Sequence, residues 1–455
     1  MTERPTYGAH ARGLLALGLP LIGSHLAQMA LHVTDTVLLG WYGVQELAAV
    51  VLGTSFFFVL FILGSGFGIG VMGMVASALG RGDEVQVRRE TRMGLWLSIL
   101  YSLLVLPVTL WAGPILRFLG QAPEVAQLAQ DFLRIAGFGM MPALLVMVLK
   151  SYLAAQAKTQ VVLWVTLAAV VMNLGLAYGL IFGHWGAPEL GVRGAAIASL
   201  ATQILTCVLL ALYAGLAPGS RRFRLFQRFW RPDWQAFVRV LRLGGPIGLT
   251  GLAESGLFVA AAVMMGWIGT VELAAHGIAM EIVALAFMVH LGLSNAATVG
   301  VGRAEGRGDV QTMRDVAVTA TVLSFGFGTL MVGLFVSLPH LLIGVFLDES
   351  KPEAAEILAF GTTLLVVAAL FQLFDAMQVI ALGLLRGVQD TRVPLWIAAF
   401  SYWLIGVPSS YVMAFVFGLG GPGLWLGLVV GLAVAATLLM RRYWRGPWFH
   451  AIPAQ

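Results

Sequence analysis

The chain of 455 residues has a single cysteine, Cys207, which excludes an internal disulfide. Charge is scarce. Asp, Glu, Lys and Arg make up 11% of the residues, against roughly 25% in soluble domains. Hydrophobic residues make up 59%, more than a soluble fold of this length could bury while keeping a polar surface. Lipid must therefore solvate much of the chain. Several chemical signatures are also missing. There is no Walker motif, so ATP does not drive the chain directly. There is no His-Glu-x-x-His or paired-cysteine spacing for a structural or catalytic metal. No cleavable signal peptide is expected, because the first apolar run is too long and no small-residue cleavage site follows it.

Twelve apolar segments are long enough to span a bilayer at about 20 residues per helix. They cover roughly 14–39, 48–78, 92–118, 130–155, 161–184, 192–217, 238–268, 276–302, 315–347, 357–385, 394–418 and 422–441. Spanning helices satisfy their own backbone hydrogen bonds, so an all-α integral membrane fold follows. Apolar–polar alternation is weak throughout, which argues against a β-barrel. The expected division is an N-terminal lobe at 1–217, a basic linker at 218–240, a C-terminal lobe at 241–441 and a tail at 442–455.

The net charge of +5 is explained by placement and calls for no nucleic acid. All but four of the 27 Lys and Arg residues fall in the termini and the even-numbered loops; the exceptions are Arg117, Arg134, Arg193 and Lys351. The positive-inside rule then predicts that both termini are cytoplasmic. Arg221, Arg222, Arg224, Arg228, Arg231, Arg239 and Arg242 fill the central linker beside tryptophans. It either sets topology alone or also lies on anionic lipid.

Two stretches repeat at a constant offset of 226. Pro20, Gly40-Trp41, Gly43, Glu46-Leu47-Ala48-Ala49 and Gly80-Arg81-Gly82-Asp83 match Pro246, Gly266-Trp267, Gly269, Glu272-Leu273-Ala274-Ala275 and Gly306-Arg307-Gly308-Asp309. With small gaps the repeat continues: Thr159-x-Val161 echoes Thr391-x-Val393, and Gly191-x-x-Gly194 echoes Gly420-x-x-Gly423. Six spans per half return the chain to its starting side. The halves are then expected to be parallel repeats about a pseudo-twofold axis along the membrane normal, facing one another across a cleft, as in many secondary transporters.

Four acids lie well inside the spans: Asp35, Glu254, Glu281 and Asp375. A carboxylate at mid-bilayer costs at least ~2.5–3.5 kcal/mol, which makes each a candidate functional group. The repeat aligns Asp35 with Ala261 and Glu254 with Gln28. Each half thus has its own acid at its own depth, a pattern suited to divided tasks such as ion in one place and substrate in another. His25, Gln28, His32 and Asp35 recur along one helix face. They read as a polar stripe facing the cleft more readily than as a metal site. Asn173, Gln203, His290 and Asn295 fit helix–helix hydrogen bonds. Lys150, Arg303 and Arg386 near the cytoplasmic ends can snorkel. Gly64-x-Gly66-x-Gly68-x-Gly70 lies in an apolar span with no preceding strand and reads as close helix packing, not as a phosphate loop. Arg-Gly-Asp at 81–83 and 307–309 reads as a tight turn.

Three places together resemble the multidrug and toxic compound extrusion (MATE) family, in its NorM-like branch. They are Pro20 through Val33-Thr34-Asp35-Thr36 to Gly40; Glu254 followed by Glu272-Leu273-Ala274-Ala275-His276; and Phe374-Asp375 leading to Arg386-Gly387-Val388-Gln389-Asp390-Thr391. The resemblance covers about residues 10–440. It implies a cation-coupled exporter of organic cations and amphipathic drugs in a bacterial inner membrane, with no cofactor beyond the coupling Na+ or H+, and expected as a monomer. It assigns Glu254 and Asp375 to a cation site able to take Na+, and Asp35 with Asn173 to a second site. Asp35, Gln28, His32 and Glu281 become substrate-binding candidates, and Pro20 the bend of the first span. The family often has an Asn or Asp four residues after the first Asn; here that position is Ala177, which leaves the N-lobe site poor in ligands.

The buried acids suggest antiport by competition, in which a carboxyl holds a proton, a sodium ion or a cationic drug, but not all at once. A lipid-linked saccharide or lipid flippase of related architecture is the alternative, and would be expected to have a strongly basic cavity that the spans do not supply. An intramembrane enzyme would need a nucleophile with its base, or paired aspartates in fixed motifs; neither is present.

Overall fold

The computed structural model describes residues 6–347 and 352–450. Lys351 and the last five residues of the expected tail lie outside the described residues. Among the described residues, twelve helices are long and apolar enough to span a membrane. We number them α1 Tyr7–Tyr42, α2 Val44–Gly80, α3 Glu84–Leu110, α4 Pro123–Ala155, α5 Thr159–Phe182, α6 Val192–Leu216, α7 Trp234–Ile268, α8 Thr270–Gly306, α9 Val310–Ser337, α10 Ala354–Gly387, α11 Arg392–Val416 and α12 Gly420–Phe449. No strand occurs among the described residues. Several helices overrun their apolar segments. α1 and α7 begin well before them, because polar and basic first turns outside the hydrocarbon still complete the helical ladder.

The duplication is visible in local geometry. Asp83 and Asp309 cap α3 and α9 identically, each accepting a hydrogen bond from the backbone N–H three residues on, at 2.9 Å. Each capped turn is entered through a left-handed glycine, Gly82 or Gly308, at φ +73° and +69°. The Arg-Gly-Asp turns are therefore helix boundaries, as expected. The turns after α4 and α10 also match, with Ala157 and Gln389 both left-handed at φ 65° and 59°.

Packing divides the chain into two compact units, residues 23–248 and residues 1–22 with 249–455. The division runs through α1 and α7, two residues after Pro20 and Pro246, and not through the expected linker at 218–240. Glycine contacts explain it. A Cβ on Gly66 would strike the backbone of Gly244 and Gly248, so the first turns of α7 lie against α2 in the 23–248 unit. A Cβ on Gly292 would strike Ile22, which ties the start of α1 to α8 in the other unit. The glycine stripe of α2 is close packing throughout: Gly64 faces Tyr101 and Leu144, and Gly68 faces Met147.

The linker is fastened within the 23–248 unit. Arg89 of α3 forms a two-pronged ion pair with Asp233, through Nε to Oδ2 and through Nη2 to Oδ1 at 3.1 Å. Asp233 Oδ1 also accepts from the Ala236 N–H and so caps α7. Arg92 donates to the Arg228 carbonyl at 3.2 Å and Trp96 to that of Phe229 at 2.9 Å. Glu90, almost fully buried, accepts from Arg239 at 3.0 Å. The basic linker thus has structural partners, while Trp230 and Trp234 stay exposed.

Candidate functional site

In the unit of residues 1–22 and 249–455, α7, α10 and α11 bring four polar side chains together. Gln378 of α10 donates to Glu254 of α7 at 3.3 Å and to the Tyr402 hydroxyl of α11. Gln378 and Tyr402 are fully buried and Asp375 is 2% exposed. Asp375 lies one helical turn from Gln378 and within electrostatic range of Glu254. Tyr402 stands on a π-helical stretch, Phe400–Gly406, a distortion that often marks functional sites. The next residue, Trp403, donates to the Ala253 carbonyl at 3.2 Å and lies against Gly256. Glu254 is thereby flanked on its own helix by the contacts that hold α11.

Several buried atoms here have no hydrogen-bond partner among the described residues: Asp375 Oδ1, Gln378 Oε1, both amide atoms of Gln372, and Ser401 Oγ. Orphaned buried oxygens are costly. A set of carboxylate, amide and hydroxyl oxygens matches what a hard cation requires. No group of three His, Cys, Asp or Glu suited to a metal occurs among the described residues. Any cation held here would therefore draw on Glu254 and Asp375 with amide and hydroxyl oxygens.

In the 23–248 unit, Ser199 of α6 donates to Asp35 Oδ2 at 3.2 Å, and Asp35 Oδ1 is buried without a partner. Asn173 of α5 is fully buried and neither of its amide atoms is hydrogen-bonded. One apolar cluster contains Leu38 and Leu39, Ala177, and Ala195, Ala196 and Ala198. Asp35, Asn173 and Ser199 therefore lie within about one turn of the same core on its three helices. Ala177 is part of that core and supplies no ligand.

The remaining candidates are more dispersed. Gln28 and His32 are exposed on α1, and Glu281 is exposed on α8. Asp35 is partly exposed, so it and those three share accessibility but no mutual hydrogen bond in the described structure. Pro20 lies inside an uninterrupted α1. His290 fits its expected packing role, with Nδ1 2.7 Å from the Ser324 hydroxyl. Lys150 is only 9% exposed, so its head does not reach out from the unit, and partly exposed Arg386 is within electrostatic range of Glu254. Gln378, Tyr402, Gln372 and Ser401 were not singled out from sequence. The spacing Gln372, Asp375, Gln378 carried a signal for two of them, because residues three apart are neighbours on a helix.

A family model described as MatE matches residues 20–179 and again residues 246–412. The chain belongs to the MATE family. The two matches start at Pro20 and Pro246, the first pair of the 226-residue repeat, so the MATE fold here consists of two copies of one unit. As a MATE protein the chain is a transporter and not an enzyme. It is 48% identical over 440 residues to a probable multidrug resistance protein NorM of Rhizobium meliloti (strain 1021), covering 97% of this chain and 94% of that one. It is 37% identical to a multidrug resistance protein NorM of Burkholderia vietnamiensis, covering 96% and 95%. Among solved structures, an outward-facing multidrug resistance MATE family transporter matches with a TM-score of 0.88 at 20% identity, covering 98% and 97%. The eukaryotic MATE transporter AtDTX14 matches at 0.84 and 20%, with the same coverage. At such identity these two likenesses concern the fold, a multi-pass helical membrane protein.

Proposed function

We propose that this MATE protein exports organic cations and amphipathic drugs in exchange for Na+ or H+, by alternating access. The observation that carries the reading is the cluster of partly exposed Glu254 with buried Asp375, Gln378 and Tyr402, with oxygens that lack partners among the described residues. A carboxylate kept from water holds a neutralising partner tightly, be it proton, metal cation or organic cation. Those partners compete, and competition for one seat is the simplest basis for antiport. Asp35 with Asn173 supplies a second seat in the other unit. The multidrug resistance names of relatives 37–48% identical support drugs as the cargo. One charge falling through 100 mV releases ~2.3 kcal/mol, roughly a fifty-fold substrate gradient.

The lining argues against a flippase for pyrophosphate-linked saccharides, because both seats are acidic. The expected location is a bacterial inner membrane with both termini cytoplasmic. The exposed tryptophans and guanidiniums of the linker then meet acidic lipid headgroups. Proteoliposomes decide the coupling: ethidium should move when a Na+ or pH gradient is imposed across the vesicle and stay put when both are collapsed. Ethidium movement indifferent to either gradient would defeat the proposal.

A further inference from the structure

We infer that Lys150 is an anion-binding point in the 23–248 unit, and that it receives the carboxylate of zwitterionic or anionic amphipaths. The inference rests on the export reading above and extends its substrate class.

Lys150 of α4 is 9% exposed. Among the described residues its one hydrogen bond is to the Ser24 hydroxyl of α1, at a long 3.5 Å. No carboxylate pairs with it among the described residues. The direction of the neighbouring bonds can be worked out. Thr166 of α5 uses its only hydroxyl hydrogen on the Val162 carbonyl, at 2.7 Å. The 3.0 Å contact between Ser24 and Thr166 must therefore have Ser24 as donor. Ser24 then faces Lys150 with a lone pair only, and the relay Lys150 to Ser24 to Thr166 to Val162 is complete. Everything downstream of the ammonium is satisfied, whereas the ammonium itself has two N–H groups without acceptors among the described residues.

A buried cation with no counter-charge costs several kcal/mol, and such groups are kept where a partner arrives. His25, beside Ser24, is within electrostatic range of Lys150 and offers no negative charge. The missing partner is an acceptor with negative charge, and a carboxylate meets both ammonium hydrogens. Ser24 and Asp35 are eleven residues apart on α1, about 16 Å along the axis. The unit therefore offers a cation seat at Asp35 and a separate anion seat at Lys150. A monocation has no use for the second.

Rhodamine 110 and rhodamine 123 form a matched pair, since the second is the methyl ester of the first and lacks its carboxylate. Binding of both dyes to the purified full-length protein, followed by fluorescence anisotropy, tests the assignment. Wild type should bind rhodamine 110. Lys150→Gln and Lys150→Met should weaken rhodamine 110 about tenfold, the scale of one charge-assisted hydrogen bond. Both should leave rhodamine 123 within about twofold, which also reports that the variants are folded. Lys150→Arg should keep rhodamine 110 binding. Equal loss of both dyes, no loss of rhodamine 110, a Lys150→Arg that fails like Lys150→Met, or a wild type that ignores rhodamine 110 would each overturn the inference. Dye binding without dye efflux from wild-type vesicles would instead count against the export reading, and the affinity comparison would remain readable.

Discussion

Gln378 places an amide nitrogen 3.3 Å from Glu254 and joins α10 to α7 at the one carboxylate that α7 carries. Because the same nitrogen also donates to Tyr402, its amide orientation is fixed. Its oxygen is left turned away from both partners and unpaired. A cation seat of the kind proposed would find this oxygen free, because two other oxygens already occupy the nitrogen.

Removing charge from either seat is expected to stop coupled export. Glu254→Gln, Asp375→Asn and Asp35→Asn should each lower gradient-driven ethidium efflux at least tenfold, with membrane insertion unchanged. Quantitative blotting alongside vesicle efflux checks this. Normal efflux from both Glu254→Gln and Asp35→Asn would remove the carboxylates from the mechanism.

Tyr402→Phe takes away one of the two acceptors that orient Gln378. A buried donor left alone costs about 1–3 kcal/mol, so cation affinity should fall by about five- to a hundred-fold. Isothermal titration with Na+, or proton release on drug binding, measures it. Unchanged affinity would mean that Gln378 plays no part in the seat.

Gly66→Leu should be much more damaging than Gly13→Leu. The first side chain would start inside the backbone of Gly244 and Gly248, which cannot rotate away, whereas the second meets nothing within 4 Å. Overpacking of this kind costs roughly 1–3 kcal/mol or more. Thermal unfolding in detergent should show a clear drop for Gly66→Leu only.

The Arg89 guanidinium beside Asp233 holds that carboxyl below its ordinary value. A depressed carboxyl stabilises the fold above its unfolded value of about 3.9, and the effect fades as pH falls through the lower folded value. Wild type should therefore melt higher than Asp233→Asn near pH 7, and the gap should narrow below about pH 4. A gap constant with pH would show that the linker clamp does not depend on this charge.

Sequence alone determined that the chain lives in lipid, how many times it crosses, and that it is a duplicated helical carrier with acids within its spans. Composition and hydropathy suffice for the first two, because a bilayer admits so few backbone solutions. The duplication was legible because Trp, Pro, Gly and Asp have local conformational duties that repeat with the structure. Asp83 and Asp309 as caps are the plainest case. Only the tertiary structure decided which residues accompany the acids. Gln378 and Tyr402 are 24 positions apart; Gln378 reaches Glu254, and Tyr402 reaches Gln378 from a third helix, and nothing in either helix's own sequence fixes that rotation. It also decided that the packing division cuts α1 and α7. Glycine lets backbones touch, and which helix fills the space depends on all the neighbours at once. The burial of Lys150 followed in the same way: a lysine near a helix end can reach water or be walled in, and the choice lies with α1 and α5.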